Sequence, residues 1–173
     1  MENQITSHIY KGVILGVVTI LTSVVVHVFN LYQNTYVNLI SLGIFIIGII
    51  YSCILFSNQN KNNVQFGNIF AHGFKTTSVV IVITSLYTIL AVKFIFPEII
   101  DISLNLSRKG MESNPNIPKD TIEQNVDFVR KYFIPLTIGF SMAGTAFIGL
   151  IASLIGAAVS KKKSANPFQN SIA

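Results

Sequence analysis

Three histidines, one cysteine and seven carboxylates are the groups in this chain that could do acid–base, metal or nucleophilic chemistry. Their spacing assembles none of it. A zinc site needs clustered ligands, such as two histidines at i and i+4 with a nearby carboxylate. His8, His27 and His72 stand apart, and no carboxylate shares an apolar run with any of them. There is no glycine-rich phosphate loop, no pair of carboxylates inside an apolar run and no supported Ser/His/Asp arrangement. The chain therefore reads as a non-enzyme, with no catalytic residue, no metal and no cofactor. Cys53 has no cysteine partner within the chain and reads as a small buried hydrophobe.

Four apolar runs must position these residues: 12–32, 36–56, 76–96 and 132–160. Of all the charged residues only Lys93 falls inside a run. Each run reaches the length of about 20 residues that a helix needs to cross hydrocarbon. Hydrophobic residues make up 51% and charged residues 11% of the chain, against roughly 25% charged in a soluble domain. Mean hydropathy is +0.60. One buried core helix could explain one such run, but not four. The expected fold is all-α, a four-helix bundle of transmembrane helices forming a single membrane domain over 1–173.

The first run lacks a small-x-small cleavage pattern, so it reads as a retained anchor. Within it His27 lies close to Asn30, near the far interface, where a neutral hydrogen-bonded histidine costs little; the alternative is a proton or substrate role. Lys93 can snorkel to headgroups or pair with Glu98. Net charge is +5. The bases form no patch on a soluble module, which argues for anionic headgroups and against nucleic acid as the partner.

Four spans put both termini on one side. The lysines and arginines on the two sides nearly balance. Lys11 faces an uncharged first loop, and Lys161, Lys162 and Lys163 follow the last span directly. The positive-inside rule then favours cytoplasmic termini in a bacterial inner membrane. An active periplasmic alkaline phosphatase fusion at the C-terminus would contradict that orientation. The three tail lysines read as a headgroup anchor, and 164–173 as a flexible tail.

Residues 65–77 sort on a helical wheel at roughly 100° per residue. Phe66, Ile69, Phe70, Gly73, Phe74 and Thr77 share one arc, while Gln65, Asn68, His72 and Lys75 share another. This is an amphipathic lead-in helix to the third span, with Asn62 or Asn63 available as its cap. Its plain role is an interfacial anchor. The functional alternative is a lipid or partner surface built on Phe66, Gly67, Phe70, Gly73 and Phe74.

Between the third and fourth spans, 97–131 reads as a helical hairpin outside the membrane, on the periplasmic side. The stretch from Glu98 to Glu112 is amphipathic, and Ser113-Asn-Pro-Asn-Ile-Pro118 makes the turn. From Lys119 a second helix places Ile122, Val126, Val129 and Phe133 on one face and can continue straight into the last span. The hairpin is a solvated cap or a partner-docking element. In the last span, Gly139, Ala143, Gly149, Ser153 and Gly156 supply small-x-x-x-small pairs. Such pairs let helices approach closely in lipid, within the bundle or at a homodimer seam.

The Phe66-Gly67-x-x-Phe70-x-x-Gly73-Phe74 stretch, the Phe96-Pro97-Glu98 turn and the glycine-rich last span ending in lysines make the chain resemble a known family. It is the bacterial membrane family called domain of unknown function 4199. The resemblance covers nearly the whole chain in layout. It implies a four-helix inner-membrane protein and brings no assigned activity. On the residues alone, the expected function is a non-catalytic membrane component that binds a lipid or a membrane-protein partner. A small transporter or channel subunit is the alternative. For that second role the midplane offers only the hydroxyls Ser41, Ser52, Thr84 and Ser85, without broken helices or inverted repeats.

Overall fold

The computed structural model describes residues 6–31 and 34–160. These form six α-helices and no strand: α1 (His8–Val28), α2 (Thr35–Gln59), α3 (Phe66–Leu90), α4 (Ile99–Glu112), α5 (Lys119–Lys131) and α6 (Phe133–Val159). A π-helical turn, Ala91–Ile95, extends α3. Four helices are long and apolar enough to cross a membrane: α1, α2, α3 with its π turn, and α6. The protein is an all-α polytopic membrane protein with a polar helical hairpin between its third and fourth spans.

Helix ends follow local chemistry. Ser7 caps α1, its hydroxyl accepting from the Tyr10 N–H at 3.2 Å. Asn34 caps α2, its side-chain carbonyl accepting from Tyr36 and Val37. Both are polar acceptors at the position where the first-turn N–H groups lack partners. Lys61 and Asn62 adopt left-handed backbone, with φ of 55° and 57°. The Asn62 N–H returns to the Ser57 carbonyl at 2.9 Å. Asn62 thus closes the end of α2 instead of opening α3. The lead-in helix and the third span are one continuous helix from Phe66.

The hairpin meets the last span with a break at Tyr132, where the sequence pattern alone allows a straight continuation. Pro135 explains it. Proline has no N–H to give the carbonyl of Lys131, four residues back, and its ring crowds that carbonyl. The ladder resumes with Leu136 N–H to the Tyr132 carbonyl at 3.0 Å.

The chain sorts into two compact units. One comprises residues up to Ile83 and those from Thr145 onward; the other is Thr84–Gly144. In the second unit Leu104, Ile122 and Val126 form a buried cluster between α4 and α5, flanked by Ile100, Met111, Ile117 and Val129. Two ion pairs tie the same helices together. Arg108 grips Glu123 through both carboxylate oxygens, and Arg130 reaches Asp101 at 3.1 Å. Both pairs are exposed, so each contributes on the order of 0.2–1 kcal/mol, and the apolar seam holds the hairpin.

In the first unit α1, α2, α3 and the end of α6 pack on small residues. Leu15, Phe45, Ile49, Val80 and Ala152 form one buried cluster, and Cys53, Ile69 and Ala157 another. Buried hydroxyls bond back along their own helices: Thr77 to the Gly73 carbonyl, Ser153 to Gly149 and Ser160 to Gly156. In hydrocarbon this matters, because an unbonded hydroxyl there has no water to turn to.

Candidate functional site

The start of α1, the end of α2 and the start of α3 meet in the first unit, since α1 and α2 run antiparallel and 60–65 turns α2 into α3. Each contributes a polar side chain to one interior cluster. Lys11, in the first turn of α1, is buried, with 8% of its surface exposed. Its Nζ lies 3.2 Å from His72 Nε2 and 3.4 Å from both the Ser52 carbonyl and Gln59 Oε1. An ammonium has no lone pair, so it donates in all three contacts. The two oxygen contacts exceed the 2.7–3.2 Å of an ordinary N–H···O bond, and none of the three acceptors carries a charge.

His72 is held from two further sides. Its ring stacks on Phe56 at 4.1 Å between centroids and meets His8 edge-on at 6.1 Å. Phe56 also presents its face to Lys11 Nζ, 5.7 Å from the centroid. Below this layer Thr76 donates to the His72 carbonyl at 2.9 Å, and its hydroxyl lies 3.2 Å from that of Ser52. Gln59 ties in the residue before the α1 cap. Its Oε1 accepts from the Thr6 N–H at 3.1 Å, and its Nε2 donates to Thr6 Oγ1 at 2.7 Å.

The charge balance of this cluster is one-sided. Of the seven carboxylates, six lie between Glu98 and Asp127, within the second unit. The seventh, Glu2, is outside the described residues. The described part of the first unit therefore holds Lys11, Lys61 and Lys75 and not one acid. Lys61 and Lys75 are exposed, whereas Lys11 is interior. A cation inside a membrane-spanning helix without a counter-charge is costly, and such residues mark functional positions by default.

Lys11 also opens onto a cleft between α1 and α2 of about 240 Å³. Its polar end is Thr6, Lys11, Ser52 and Gln59; Ile14, Leu15, Val18 and Leu55 line it further along, with Tyr10, Gly48 and Tyr51 completing the wall. From Lys11 to Val18 the cleft follows α1 for roughly 10 Å at 1.5 Å per residue. Further along the α1–α2 seam a second crevice, about 200 Å³, is lined by Thr19, Thr22, Ser23, Asn38 and Ser41. The threonines and Ser41 donate back to their own helices, leaving oxygen lone pairs toward the crevice.

The residues singled out from sequence fall in several places. Within the aromatic motif, Phe66 is exposed and Gly67 faces open space. Phe70 and Phe74 stack on each other, with centroids 6.2 Å apart. Gly73 instead faces inward, where an added Cβ would lie 2.5 Å from Cys53 Sγ and 2.8 Å from Ser153 Oγ. In α6, Gly149 sits against Thr77, and Gly156 against Cys53 and the Ile50 backbone. Ser153 is buried, while Gly139 and Ala143 are exposed in the second unit. Of the candidate hydroxyls, Ser41 and Ser52 belong to the first unit, Thr84 and Ser85 to the second. Lys161, Lys162 and Lys163 lie outside the described residues.

The interior cluster itself is not evident from the wheel, which assigns His72 to the polar arc with Gln65, Asn68 and Lys75. Those three are exposed and His72 is buried, where His8 and Lys11 of α1 and Phe56 of α2 lie against it. A signal was available: no acid occurs between Glu2 and Glu98, yet Lys11 stands within helical reach of the first apolar run. Among the described residues no group of three or more His, Cys, Asp or Glu could hold a metal.

Comparison with curated proteins gives no match, and comparison with solved structures gives none either. A family model does match, over residues 10–162, spanning all four membrane-length helices and the hairpin. The chain therefore belongs to the family described as "Protein of unknown function (DUF4199)".

Proposed function

We propose that the protein is a non-catalytic component of the bacterial inner membrane that holds a membrane lipid in the α1–α2 cleft. The observation that carries this reading is the cleft itself. It is apolar along most of its length and ends at a buried lysine among hydrogen-bonding groups. That division suits an amphiphile, whose tail gains from apolar burial and whose head needs polar partners. In this reading the four spans form a four-helix bundle, both termini are cytoplasmic and the α4–α5 hairpin is periplasmic. Lys11 and the tail lysines then lie at the leaflet where the positive-inside rule expects them.

Native mass spectrometry of the detergent-solubilised full chain tests it. One lipid per chain should survive repeated detergent exchange. Lipid-free protein, or a graded ladder of adducts with no favoured stoichiometry, would remove the support for a defined site.

A small transporter or channel subunit is the second reading, and the crevice lined by Thr19, Thr22, Ser23, Asn38 and Ser41 favours it. Leu15 and Phe45 stand against it. With Ile49, Val80 and Ala152 they form a buried apolar cluster among α1, α2, α3 and α6, where a solute path would need polar groups.

A further inference from the structure

We infer that the occupant of the α1–α2 cleft is an anionic glycerophospholipid, with its phosphate at Lys11 and the upper part of one acyl chain along Ile14, Val18 and Leu55. This rests on the lipid-binding reading and names the chemistry of the ligand. Three independent observations converge on it.

The first is charge. Lys11 is interior, and no carboxylate exists among the described residues of its unit to balance it. Removing an ion from water costs several kcal/mol unless another charge or very good hydrogen bonds compensate. An anionic headgroup supplies the missing charge. A zwitterionic headgroup brings a second cation into a cluster that already holds His8, Lys11 and His72.

The second is bond geometry. Lys11 Nζ has only neutral acceptors, and its two oxygen contacts, at 3.4 Å, are long. Phosphate oxygens form shorter, stronger bonds with such a donor. Gln59 Oε1 already accepts from Thr6, so it can release Lys11 without being left unbonded.

The third is the shape and position of the cleft. It lies between two membrane-length helices, and Ile14 and Val18, which line it, are exposed on α1. In a bilayer those positions face acyl chains. A free phosphate ion would have no use for this apolar extension, so the proposal commits to the lipid.

The test uses the full chain in mild detergent, with the melting temperature and retained lipid measured after adding phosphatidylglycerol, phosphatidylcholine or inorganic phosphate. Phosphatidylglycerol should bind about fivefold better than phosphatidylcholine, the preference expected for one lysine near an anionic headgroup. Lys11→Gln should abolish that preference, and Lys75→Gln, at an exposed lysine, should keep it. Should Lys11→Gln fold poorly, Val18→Phe retains the lysine and fills the cleft from an exposed position; it should lose the retained phosphatidylglycerol. Equal retention of the two lipids by the unaltered chain, or an unchanged preference in Lys11→Gln, overturns the anionic assignment while leaving lipid binding standing. Stabilisation by inorganic phosphate equal to that by phosphatidylglycerol also overturns it, in favour of a free-anion site. Retention of neither lipid defeats the lipid-binding reading itself.

Discussion

Gly149→Ile lowers the melting temperature of the detergent-solubilised protein by several degrees, and Gly139→Ile leaves it nearly unchanged. Both glycines sit in α6 within small-x-x-x-small pairs, so the sequence treats them alike. Their surroundings differ. A Cβ at Gly139 meets nothing within 4 Å, whereas one at Gly149 runs into the β-carbon, methyl and hydroxyl of Thr77. Thr77 has little freedom to move aside. It is fully buried, β-branched, and its hydroxyl is bonded to the Gly73 carbonyl at 3.2 Å. Overpacking of this kind costs about 1–3 kcal/mol, and a chain of this size loses roughly 2–4 °C per kcal/mol. Gly156→Ile should behave like Gly149→Ile, since its added Cβ would lie 3.2 Å from the Ile50 Cα, a backbone atom that no rotamer change relieves. Equal melting temperatures for Gly149→Ile and Gly139→Ile would refute the packing role assigned to the end of α6.

The second large effect concerns the interior pair. His72→Leu removes the nearest acceptor of the Lys11 ammonium and the ring that stacks on Phe56. Lys11 is then left with two contacts at 3.4 Å and no counter-charge among the described residues of its unit. A hydrogen bond involving a charged group is worth about 1.5–3 kcal/mol, and that is the expected loss. Lys11→Met in the same chain should recover most of it, because a buried charge replaced by an apolar side chain of similar volume is commonly neutral or stabilising. The two substitutions are thus expected to be strongly non-additive in a double-mutant cycle of melting temperatures. Simple additivity would mean that His72 supports the fold through Phe56 alone. The single change Lys11→Met should leave stability close to that of the unaltered chain.

Much of this architecture is legible in the sequence, for one physical reason. Hydrocarbon excludes charge, so the spans appear as runs free of charge except for Lys93, whatever packs against them. The hairpin is legible for a related reason: Ile122, Val126 and Val129 keep a helical spacing, and the Pro- and Asn-rich turn can be neither helix nor strand. Span ends are less legible. The hydropathy marks stop at Gly12, but Ser7 caps the helix and carries His8 and Lys11 into its first turn. The candidate site follows from that small shift. Lys11 reads as a flanking charge when the helix begins after it, and as an interior cation once the helix begins before it. His72 was hidden differently. A wheel sorts a helix into faces but cannot say which neighbour covers a polar face, and here α1 and α2 together cover His72 while Lys75 stays exposed. The stripe of small residues in α6 shows the same limit. Small residues recur along its length, yet among its glycines only Gly149 and Gly156 have a neighbouring helix close enough to need them.

The central claim, a defined lipid seat between α1 and α2, is tested most directly in intact membranes. A photo-reactive amino acid placed at Val18, inside the cleft, is compared with one at Ile47, on the exposed surface of α2. After irradiation, mass analysis should find one dominant phospholipid class attached at Val18 and the bulk lipid mixture at Ile47. The same mixture at both positions would mean that the groove is ordinary lipid-facing surface, and the account would fail.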